Sequence, residues 1–248
     1  MLGTAFKTLL GDKAQYFNQK QIDITIPANL NKLPETNIII NCAAYTDVDN
    51  CEINQSKAYR VNADGPEHLA KYCKINDILL IHFSTDYVFP GNKLEPYTEL
   101  DKPYPLNVYG WSKLKGEQKI EEIAPRHVIF RLQWLFGHNG THFIKKIKNI
   151  ANPAVVTDQV GSPSYATDIA RCVLEAIKNN IPDGTYHLTN QGTVSLYEWA
   201  KYINEATIRT DQYPRQATRP KNNALNINKV KDYCRPLHWK RAVDEYLK

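Results

Sequence analysis

The stretch Ile78-Leu-Leu-Ile-His-Phe-Ser-Thr-Asp86 decides the fold class of this chain. Residues 78–83 form a short, mostly apolar run, which is typical of a strand buried on both faces of a parallel sheet. The run ends in a cluster of Ser, Thr and Asp, and the Pro and Gly residues at 90, 91 and 96 mark a long loop after it. A buried strand with polar residues at its end predicts an open α/β sheet that binds its ligand at the carboxyl edge.

Strand-like and helix-like segments alternate on both sides of this stretch. Before it, residues 37–42 form another short apolar run, and residues 56–74 have helical spacing. After it, a helix is predicted from about Asn107 to Ala124, followed by a strand over residues 127–132. The alternation predicts βαβ units and therefore an α/β fold with a Rossmann-like, doubly wound parallel sheet.

The two ends of the chain depart from this rhythm. Residues 1–10 resemble the helix that follows the first strand of a doubly wound fold, so we expect the opening strand and the first glycines of the fingerprint to be missing. We expect a shortened gene model, with a naturally shortened protein as the alternative. We assign residues 1–150 to a dinucleotide-binding core and residues 151–248 mainly to a small substrate-binding cap, with some segments returning to the core.

Composition narrows the class of protein. The 248 residues are 42% apolar and 23% charged, with a net charge of +5, and no apolar run approaches the ~18 residues of a spanning helix. We therefore expect no membrane span. Because Lys and Arg are scattered along the chain, we also expect no nucleic-acid partner. Five cysteines without a CxxC pair, and no apolar signal segment in residues 1–30, predict a cytoplasmic protein with reduced thiols. The histidines show no metal-ligand spacing, so no metal site is predicted.

The central catalytic candidate is Tyr109-Gly-Trp-Ser-Lys113. On a helix, residues four apart share one face, so the phenol and the ammonium can approach the same ligand. A nearby cation favours the phenolate and brings the pKa of the tyrosine toward working pH, where the phenol can give its proton to a ketone oxygen. The spacing also occurs at Tyr16/Lys20 and Tyr197/Lys201, but only Tyr109 follows a strand that ends in a Ser-Thr-Asp cluster.

Further candidates lie at the predicted strand ends. Thr85 could donate a second hydrogen bond to a substrate oxygen, or its cluster could simply cap the loop. Ala43 and Ala44 suit either the close approach of a flat ligand or tight packing of a helix on the sheet. Asp23 could bond an adenine or ribose, or could start a turn. The residues alone leave these alternatives open.

A series of short stretches runs along the chain. It comprises Leu2-Gly3, Ile22-Asp-Ile-Thr25, Asn41-Cys-Ala-Ala-Tyr-Thr46, Val61-Asn62, Phe83-Ser-Thr-Asp-Tyr-Val-Phe89, Asn107-Val-Tyr-Gly-Trp-Ser-Lys113, Phe130-Arg-Leu-Gln-Trp134, Asp158-Gln-Val-Gly-Ser-Pro163 and Arg219-Pro220. Taken in this order, the stretches resemble the dTDP-4-dehydrorhamnose reductase family of extended short-chain dehydrogenases. The likeness covers essentially the whole chain, and the combination of Ser-Thr-Asp-Tyr-Val-Phe with Asn-Val-Tyr-Gly is specific.

The resemblance implies hydride transfer from NADPH or NADH to the C4 ketone of a nucleotide-linked 6-deoxy-4-hexulose, such as dTDP-4-dehydrorhamnose. It implies that Tyr109 is the proton donor, Lys113 its activator and ribose ligand, and Thr85 a donor to the carbonyl. The other residues that it places at the cofactor are Leu2, Gly3, Asp23, Ile24, Cys42, Ala43, Ala44, Thr46 and Asn62. Those that it places at the nucleotide-diphosphate sugar, besides Thr85, are Val48, Asp86, Tyr87, Trp134, Gln159 and Arg219.

Two departures from the family pattern change further expectations. Ala5 stands where some members carry a glutamate that takes part in a magnesium-linked dimer, so we expect a monomer or a weak homodimer. His142 stands where the family often has an asparagine, which puts one diphosphate contact in question. Two other functions remain open: a reductase of another nucleotide sugar, such as a UDP-linked one, and a non-catalytic regulatory subunit resembling the beta subunit of methionine adenosyltransferase.

Overall fold

The structure, a computed structural model, describes residues 1–140, 142–210 and 215–248. Its helices are α1 (Leu2–Leu10), α2 (Val48–Ile53), α3 (Gln55–Tyr59), α4 (Gly65–Ile75), α5 (Val108–Ile123), α6 (Phe143–Lys148), α7 (Ala166–Lys178), α8 (Leu196–Ile203) and α9 (Trp239–Leu247). Its strands are β1 (Ile38–Asn41), β2 (Leu79–Thr85), β3 (His127–Leu132), β4 (Leu135–Phe136), β5 (Ala154–Val156), β6 (Val160–Gly161), β7 (Ser164–Tyr165), β8 (Gly184–His187), β9 (Val194–Ser195) and β10 (Ile208–Thr210). None of the helices in these three ranges is long and apolar enough to cross a membrane.

The main sheet has the strand order β1-β2-β3-β8, and its neighbouring strands are all parallel. Ile38 pairs with Leu79, and Val128 with both Ile81 and Gly184. Helices α2 to α4 connect β1 to β2, and α5 connects β2 to β3. This arrangement confirms the predicted α/β fold with a parallel sheet, and it places the ends of β1, β2 and β3 at one edge.

Helices cover both faces of the sheet, because successive residues of a strand point to opposite faces. Ile81 and Phe83 of β2 pack with residues of α1 and α7 in one apolar core. Leu80, the residue before Ile81, points to the opposite face and packs with residues of α4 and α5 in another core. Each large apolar side chain buried in this way stabilises the fold by roughly 1.5–3 kcal/mol. The sheet is therefore doubly wound.

The second half of the chain contributes to the main sheet and also builds a core of its own. Strand β8 pairs with β3, and α7 packs on the sheet with α1. The remaining strands form the small ladders β4–β7, β5–β10 and β6–β9. A separate apolar cluster surrounds Trp199, whose ring stacks on Trp134 at a centroid distance of 5.6 Å. The division of the chain at residue 150 stays a prediction.

The helix expected over residues 56–74 is interrupted. A π-helical turn, Arg60–Asp64, separates α3 from α4, and the amide of Gly65 donates to the Arg60 carbonyl, five residues back. Pro66 follows at the start of α4 and has no amide to donate, so the regular ladder cannot continue through it. The interruption turns the segment around Asn62 toward the neighbouring helix α5, where the Asn62 side chain donates to Ser112 Oγ at 3.0 Å.

Candidate active site

Helix α5 begins at the carboxyl edge of the sheet because of its cap. The Asn107 side chain accepts a hydrogen bond from the amide of Gly110 at 2.8 Å, which satisfies one of the free amides of the first turn. The same side chain donates to the Thr218 carbonyl at 2.9 Å. Tyr109 is therefore the second residue of a capped helix, held at a defined distance from the end of β2.

Gly110 allows α5 to lie directly against the turn after β2. A Cβ at this position would collide with the Tyr87 carbonyl oxygen and with the Pro105 ring. The close approach brings the Tyr87 and Tyr109 rings edge to face, with centroids 5.8 Å apart. Glycine is therefore required next to the candidate proton donor for a packing reason.

Thr85 and Asp86 form a hydrogen-bonded pair at the end of β2. The Thr85 hydroxyl donates to Asp86 Oδ1 at 3.0 Å and accepts from the amide of Tyr87 at 3.2 Å. Gln133 and Asn223 donate to Asp86 Oδ2 at 3.0 and 3.3 Å. Burial raises the pKa of Asp86 to about 7, although these hydrogen bonds act to lower it. Asp86 is thus surrounded by protein donors, and its expected contact with the sugar stays a prediction.

The pKa of Tyr109 differs from the expectation for a tyrosine beside a cation. Burial raises it above its usual value, while a hydrogen bond with Thr85 acts in the opposite direction. The Lys113 amine does not supply the lowering effect, because it points to β2. Its Nζ donates to the Phe83 carbonyl at 2.6 Å and lies 3.3 Å from His82 Nε2. Burial lowers the pKa of Lys113 to about 8, although Glu117 acts to raise it.

The other two Tyr-x-x-x-Lys pairs lie in different surroundings. Tyr16 and Lys20 are outside the helices, in an irregular segment after α1. Tyr197 and Lys201 are on α8, where the Tyr197 ring lies under the Arg209 guanidinium at 4.9 Å. Neither pair adjoins the carboxyl edge of the main sheet, as the sequence context predicted.

The residues after β1 form an exposed loop. Cys42, Ala43, Ala44 and Thr46 are all exposed there. Helix α1 begins beside them, and a Cβ at Gly3 would lie 3.6 Å from the Cβ of Cys42, an ordinary contact. The loop and the start of α1 therefore form one surface that a flat ligand can approach.

Asn62 lies behind this loop and does not line the surface. Its oxygen accepts from the amide of Tyr45 at 2.8 Å, and its nitrogen donates to the Tyr45 carbonyl and to Ser112 Oγ at 2.9 and 3.0 Å. Asn62 is 1% exposed, and these contacts use both ends of its amide. It therefore shapes the exposed loop by fixing it to α5, and its expected place beside the cofactor stays a prediction.

Two further residues expected at the cofactor are used locally. The Asp23 carboxylate accepts from the amide and the hydroxyl of Thr25 at 2.9 and 2.8 Å, which favours the turn over the ribose contact. Leu2 is buried in the apolar core between α1 and the sheet, and Ile24 packs at the edge of the core on the other face. The Ile24 carbonyl also bonds His68 Nδ1 at 3.0 Å, so the expected cofactor contacts of these residues stay predictions.

Residues expected at the sugar or its diphosphate surround the same edge. Arg219 donates to Asp49 Oδ2 at 2.8 Å, one residue beyond the half-buried Val48 at the start of α2. Trp134, two residues after the end of β3, has a positive φ of 43°, a strained backbone for a non-glycine residue. Gln159 is 9% exposed. The departure at His142 has a local reason, because its Nδ1 caps α6 at the amide of Lys145 as an asparagine would.

Four polar residues at the site were not singled out from the sequence. Gln133 and Asn223 hold Asp86, and Asn41 and His82 connect β1 to Lys113. His82 carried a signal, since it is the one strongly polar residue inside the apolar run of β2. The alternation of a strand places it on the face of Leu80, toward α4 and α5. Asn223 had no comparable signal, because it is far from β2 in the chain.

Comparison with known proteins identifies the family of this chain. The family model described as the RmlD substrate binding domain matches residues 1–248. The chain belongs to this family. Among relatives of the RmlD substrate binding domain family, a dTDP-4-dehydrorhamnose reductase of Aggregatibacter actinomycetemcomitans is 34% identical, over 98% of this chain and 93% of that protein.

Solved structures of similar proteins carry the same fold. A dTDP-4-dehydrorhamnose reductase from Clostridium acetobutylicum is 34% identical and superposes with a TM-score of 0.92, over 99% of this chain and 94% of that one. A dTDP-4-dehydrorhamnose reductase from Bacillus anthracis, solved in complex with NADP, is 32% identical with the same TM-score and the same coverage. These matches confirm the resemblance to the dTDP-4-dehydrorhamnose reductase family that the short motifs indicated.

Proposed function

We propose that this chain is an oxidoreductase that uses NADPH or NADH to reduce the C4 ketone of a nucleotide-linked 6-deoxy-4-hexulose, dTDP-4-dehydrorhamnose or a close analogue. The observation that carries the proposal is the convergence of Thr85, Tyr109 and Lys113 at the end of β2. The reductases of the family share this fold over nearly the whole chain. A member bound to NADP supports the choice of cofactor.

The residues at the sheet edge fit a dinucleotide. The first turn of α1 carries neither an acidic side chain nor a capping side chain, so its amides suit a pyrophosphate. The exposed Ala43 and Ala44 leave room for a flat ring, and Thr46 offers a hydroxyl beside them. We place the cofactor along this surface, with its reactive end toward Tyr109.

The protein's own groups then handle the carbonyl oxygen. The bound cofactor supplies a hydride to the carbonyl carbon. The Tyr109 hydroxyl gives its proton to the developing alkoxide, and Thr85 donates a second hydrogen bond to the same oxygen. In the complex, Lys113 would turn from the Phe83 carbonyl to hold a ribose hydroxyl and, when charged, would stabilise the Tyr109 phenolate that remains. The desolvated site strengthens each of these interactions.

The nucleotide sugar binds between the sheet edge and the residues of the second half of the chain. Arg219 has the planar guanidinium that suits a diphosphate, and it moves from Asp49 to reach one. Tyr87, Trp134 and Gln159 border the space for the sugar. These groups recognise a diphosphate and a keto sugar rather than a base. Activity assays with dTDP-linked and UDP-linked substrates therefore decide between the two nucleotides. We expect the protein to act as a monomer or a weak homodimer.

Replacement of Tyr109 by Phe tests the proposal. The near-ultraviolet absorbance of NADPH would be followed with dTDP-4-dehydrorhamnose, and we expect the turnover rate of Tyr109→Phe to fall by at least ~100-fold, because the general acid is lost. Tyr197→Phe is the matched control, since Tyr197 has the same spacing to a lysine on α8, and its activity should be unchanged. Full activity of Tyr109→Phe would refute the assigned proton donor. Cofactor binding without turnover by the unsubstituted chain would favour a regulatory subunit instead.

A further inference from the structure

A chain of three side chains runs from β1 through β2 to α5. Asn41 Nδ2 lies 3.1 Å from His82 Nδ1, and His82 Nε2 lies 3.3 Å from Lys113 Nζ. All three residues are at least nine-tenths buried. Such buried polar groups interact strongly, and an unfavourable pairing between two of them is costly.

The orientation of the Asn41 amide is fixed by the backbone. Its Oδ1 accepts from the amide of Ala43 at 3.0 Å, so its Nδ2 is the atom that faces His82. An amide NH₂ group can only donate. His82 Nδ1 must therefore be the acceptor, and the single proton of the neutral ring must be on Nε2.

The position of this proton has a consequence for Lys113. An Nε2–H group points at the amine, and an ammonium has no lone pair with which to accept it. A neutral amine accepts from Nε2–H and still donates to the Phe83 carbonyl, a contact of 2.6 Å. A doubly protonated His82 is no alternative, because burial and then Lys113 hold the pKa of this ring well below its usual value.

We infer that Asn41, by fixing the tautomer of His82, makes this pair a positioning device that favours the neutral amine of Lys113 in the ligand-free protein. In terms of the proposed function, on which the catalytic meaning of this inference rests, the pair sets the pH at which Lys113 loses the charge that stabilises the Tyr109 phenolate. Neither Asn41 nor His82 needs to touch the substrate. Their effect on the reaction passes through Lys113.

Other titratable groups lie around this part of α5, and none of them depends on the tautomer of His82. Glu117, one turn further along α5, raises the pKa of Lys113, and Arg131 of β3 is paired with Glu117 at 2.7 Å. Further titratable groups on the elements packed here include Tyr109, Glu52 of α2, whose Oε1 accepts from the amide of Val108 at 2.9 Å, Cys51 of α2, Asp86 and Tyr87 after β2, Asp64, and Glu67 of α4, which pairs with Lys119. All of them remain in the variants proposed below, so they cancel in a comparison.

Asn41→Asp reverses the tautomer. One carboxylate oxygen still accepts from the amide of Ala43, while the other accepts a hydrogen bond from His82 Nδ1–H, which frees Nε2 to accept from an ammonium. We expect the pKa of Lys113 to rise by about one unit or more. Because the new carboxylate also adds a negative charge, His82→Gln is the second variant. Its amide adds no charge and turns its oxygen toward Lys113, so a rise of the same direction is expected.

Two measurements on the ligand-free protein test the inference without any need for turnover. Long-range ¹H–¹⁵N NMR of ¹⁵N-histidine protein reports the tautomer of His82, and the ¹³Cε shift of Lys113, assigned with Lys113→Arg, reports its titration. His127→Gln is the control, because His127 at the start of β3 bonds the Ala124 carbonyl away from the site. We expect an Nε2-protonated His82, a switch to Nδ1 in Asn41→Asp, and an unchanged Lys113 titration in the control.

An Nδ1-protonated His82 in the unsubstituted protein would overturn the inference, as would a Lys113 titration that stays in place in both variants. If the reductase assay succeeds, the basic limb of the pH–rate profile should move to higher pH in His82→Gln. If the assay fails for the unsubstituted protein while the NMR results are as expected, the proposed function fails and the tautomer assignment stands. The two failures are therefore distinguishable.

Discussion

At the scale of single residues, Asp86 decides where the Thr85 proton points. An ionised Asp86 accepts the Thr85 hydroxyl at 3.0 Å and keeps that proton away from a substrate oxygen. A protonated Asp86 is a weaker acceptor than the carboxylate, so the Thr85 hydroxyl is free to donate to the substrate carbonyl instead. Because burial raises the pKa of Asp86 to about 7, both states are accessible near neutral pH.

The same carboxyl makes stability depend on pH. The pKa of Asp86 is about 7 in the folded chain and near 3.8 when unfolded, so between these values the folded state holds a proton that the unfolded state has released. Stability from this group is complete below pH 4 and is lost as the pH rises toward 7. The free energy of unfolding would be measured by urea titration at pH 5 and at pH 8, for the unsubstituted protein and for Asp86→Asn. We expect it to fall from pH 5 to pH 8 by a few kcal/mol more in the unsubstituted protein than in the variant. Equal changes in both proteins would show an ordinary Asp86 pKa.

At the scale of elements, α5 is held in place by small residues and by a buried ion pair. Gly110 contacts the turn after β2, and Gly116 contacts the Asn62 carbonyl so closely that a Cβ there would collide with it. Arg131 of β3 pairs with Glu117 of α5 at 2.7 Å, with both side chains buried. These contacts set the height and rotation of the helix that presents both Tyr109 and Lys113.

Gly110→Ala is expected to displace the start of α5. The new Cβ has no room at the Tyr87 carbonyl, so the helix must shift, at a cost of about 1–3 kcal/mol in unfolding free energy and with a larger effect on the turnover rate than on cofactor affinity. Gly3→Ala in α1 is the matched stability control, because a Cβ there makes only an ordinary contact and alanine favours a helix. Thermal unfolding would be compared for both variants, and NADPH oxidation for Gly110→Ala and the unsubstituted protein. A Gly110→Ala protein as stable and as active as the original would contradict the packing argument.

At the scale of the whole molecule, Asp49 connects the two halves of the chain. Its Oδ1 accepts from the amides of Gln216 and Ala217 at 3.1 and 3.0 Å, and its Oδ2 accepts from Arg219 at 2.8 Å. Burial alone would raise the pKa of Asp49, but these bonds lower it overall. A carboxylate of α2 therefore anchors residues 216–219, which include the arginine that we assign to the diphosphate.

Asp49→Ala is expected to loosen this segment. The amides of Gln216 and Ala217 lose their acceptor, so their hydrogen exchange should accelerate by roughly tenfold, since a single hydrogen bond contributes about 1 kcal/mol. Exchange of the peptide covering residues 215–219 would be followed by mass spectrometry. Asp244→Ala is the control, because Asp244 accepts from Tyr202 on the exposed side of α9. Unchanged protection of the segment would mean that other contacts hold it.

The elements and the three catalytic candidates followed from local information. Apolar runs and helical spacing depend on neighbours a few residues apart, and they placed the start of β3 at His127 and the start of α5 near Asn107, as the structure has them. The order of motifs then led from Thr85 to Tyr109 and Lys113. The sequence by itself therefore determined the fold class and the family, and it placed the candidate reacting groups along the chain.

Only the tertiary structure decided what those groups contact. Lys113 meets His82 across 31 residues, and Arg219 meets Asp49 across 170, distances in sequence that no periodic pattern reports. The direction of the Lys113 amine, the burial of Asp86 and the tautomer of His82 all depend on which polar atoms share a buried space. That sharing arises only when the strands and helices pack together, because hydrogen-bond partners in a desolvated core are selected by geometry rather than by order in the chain.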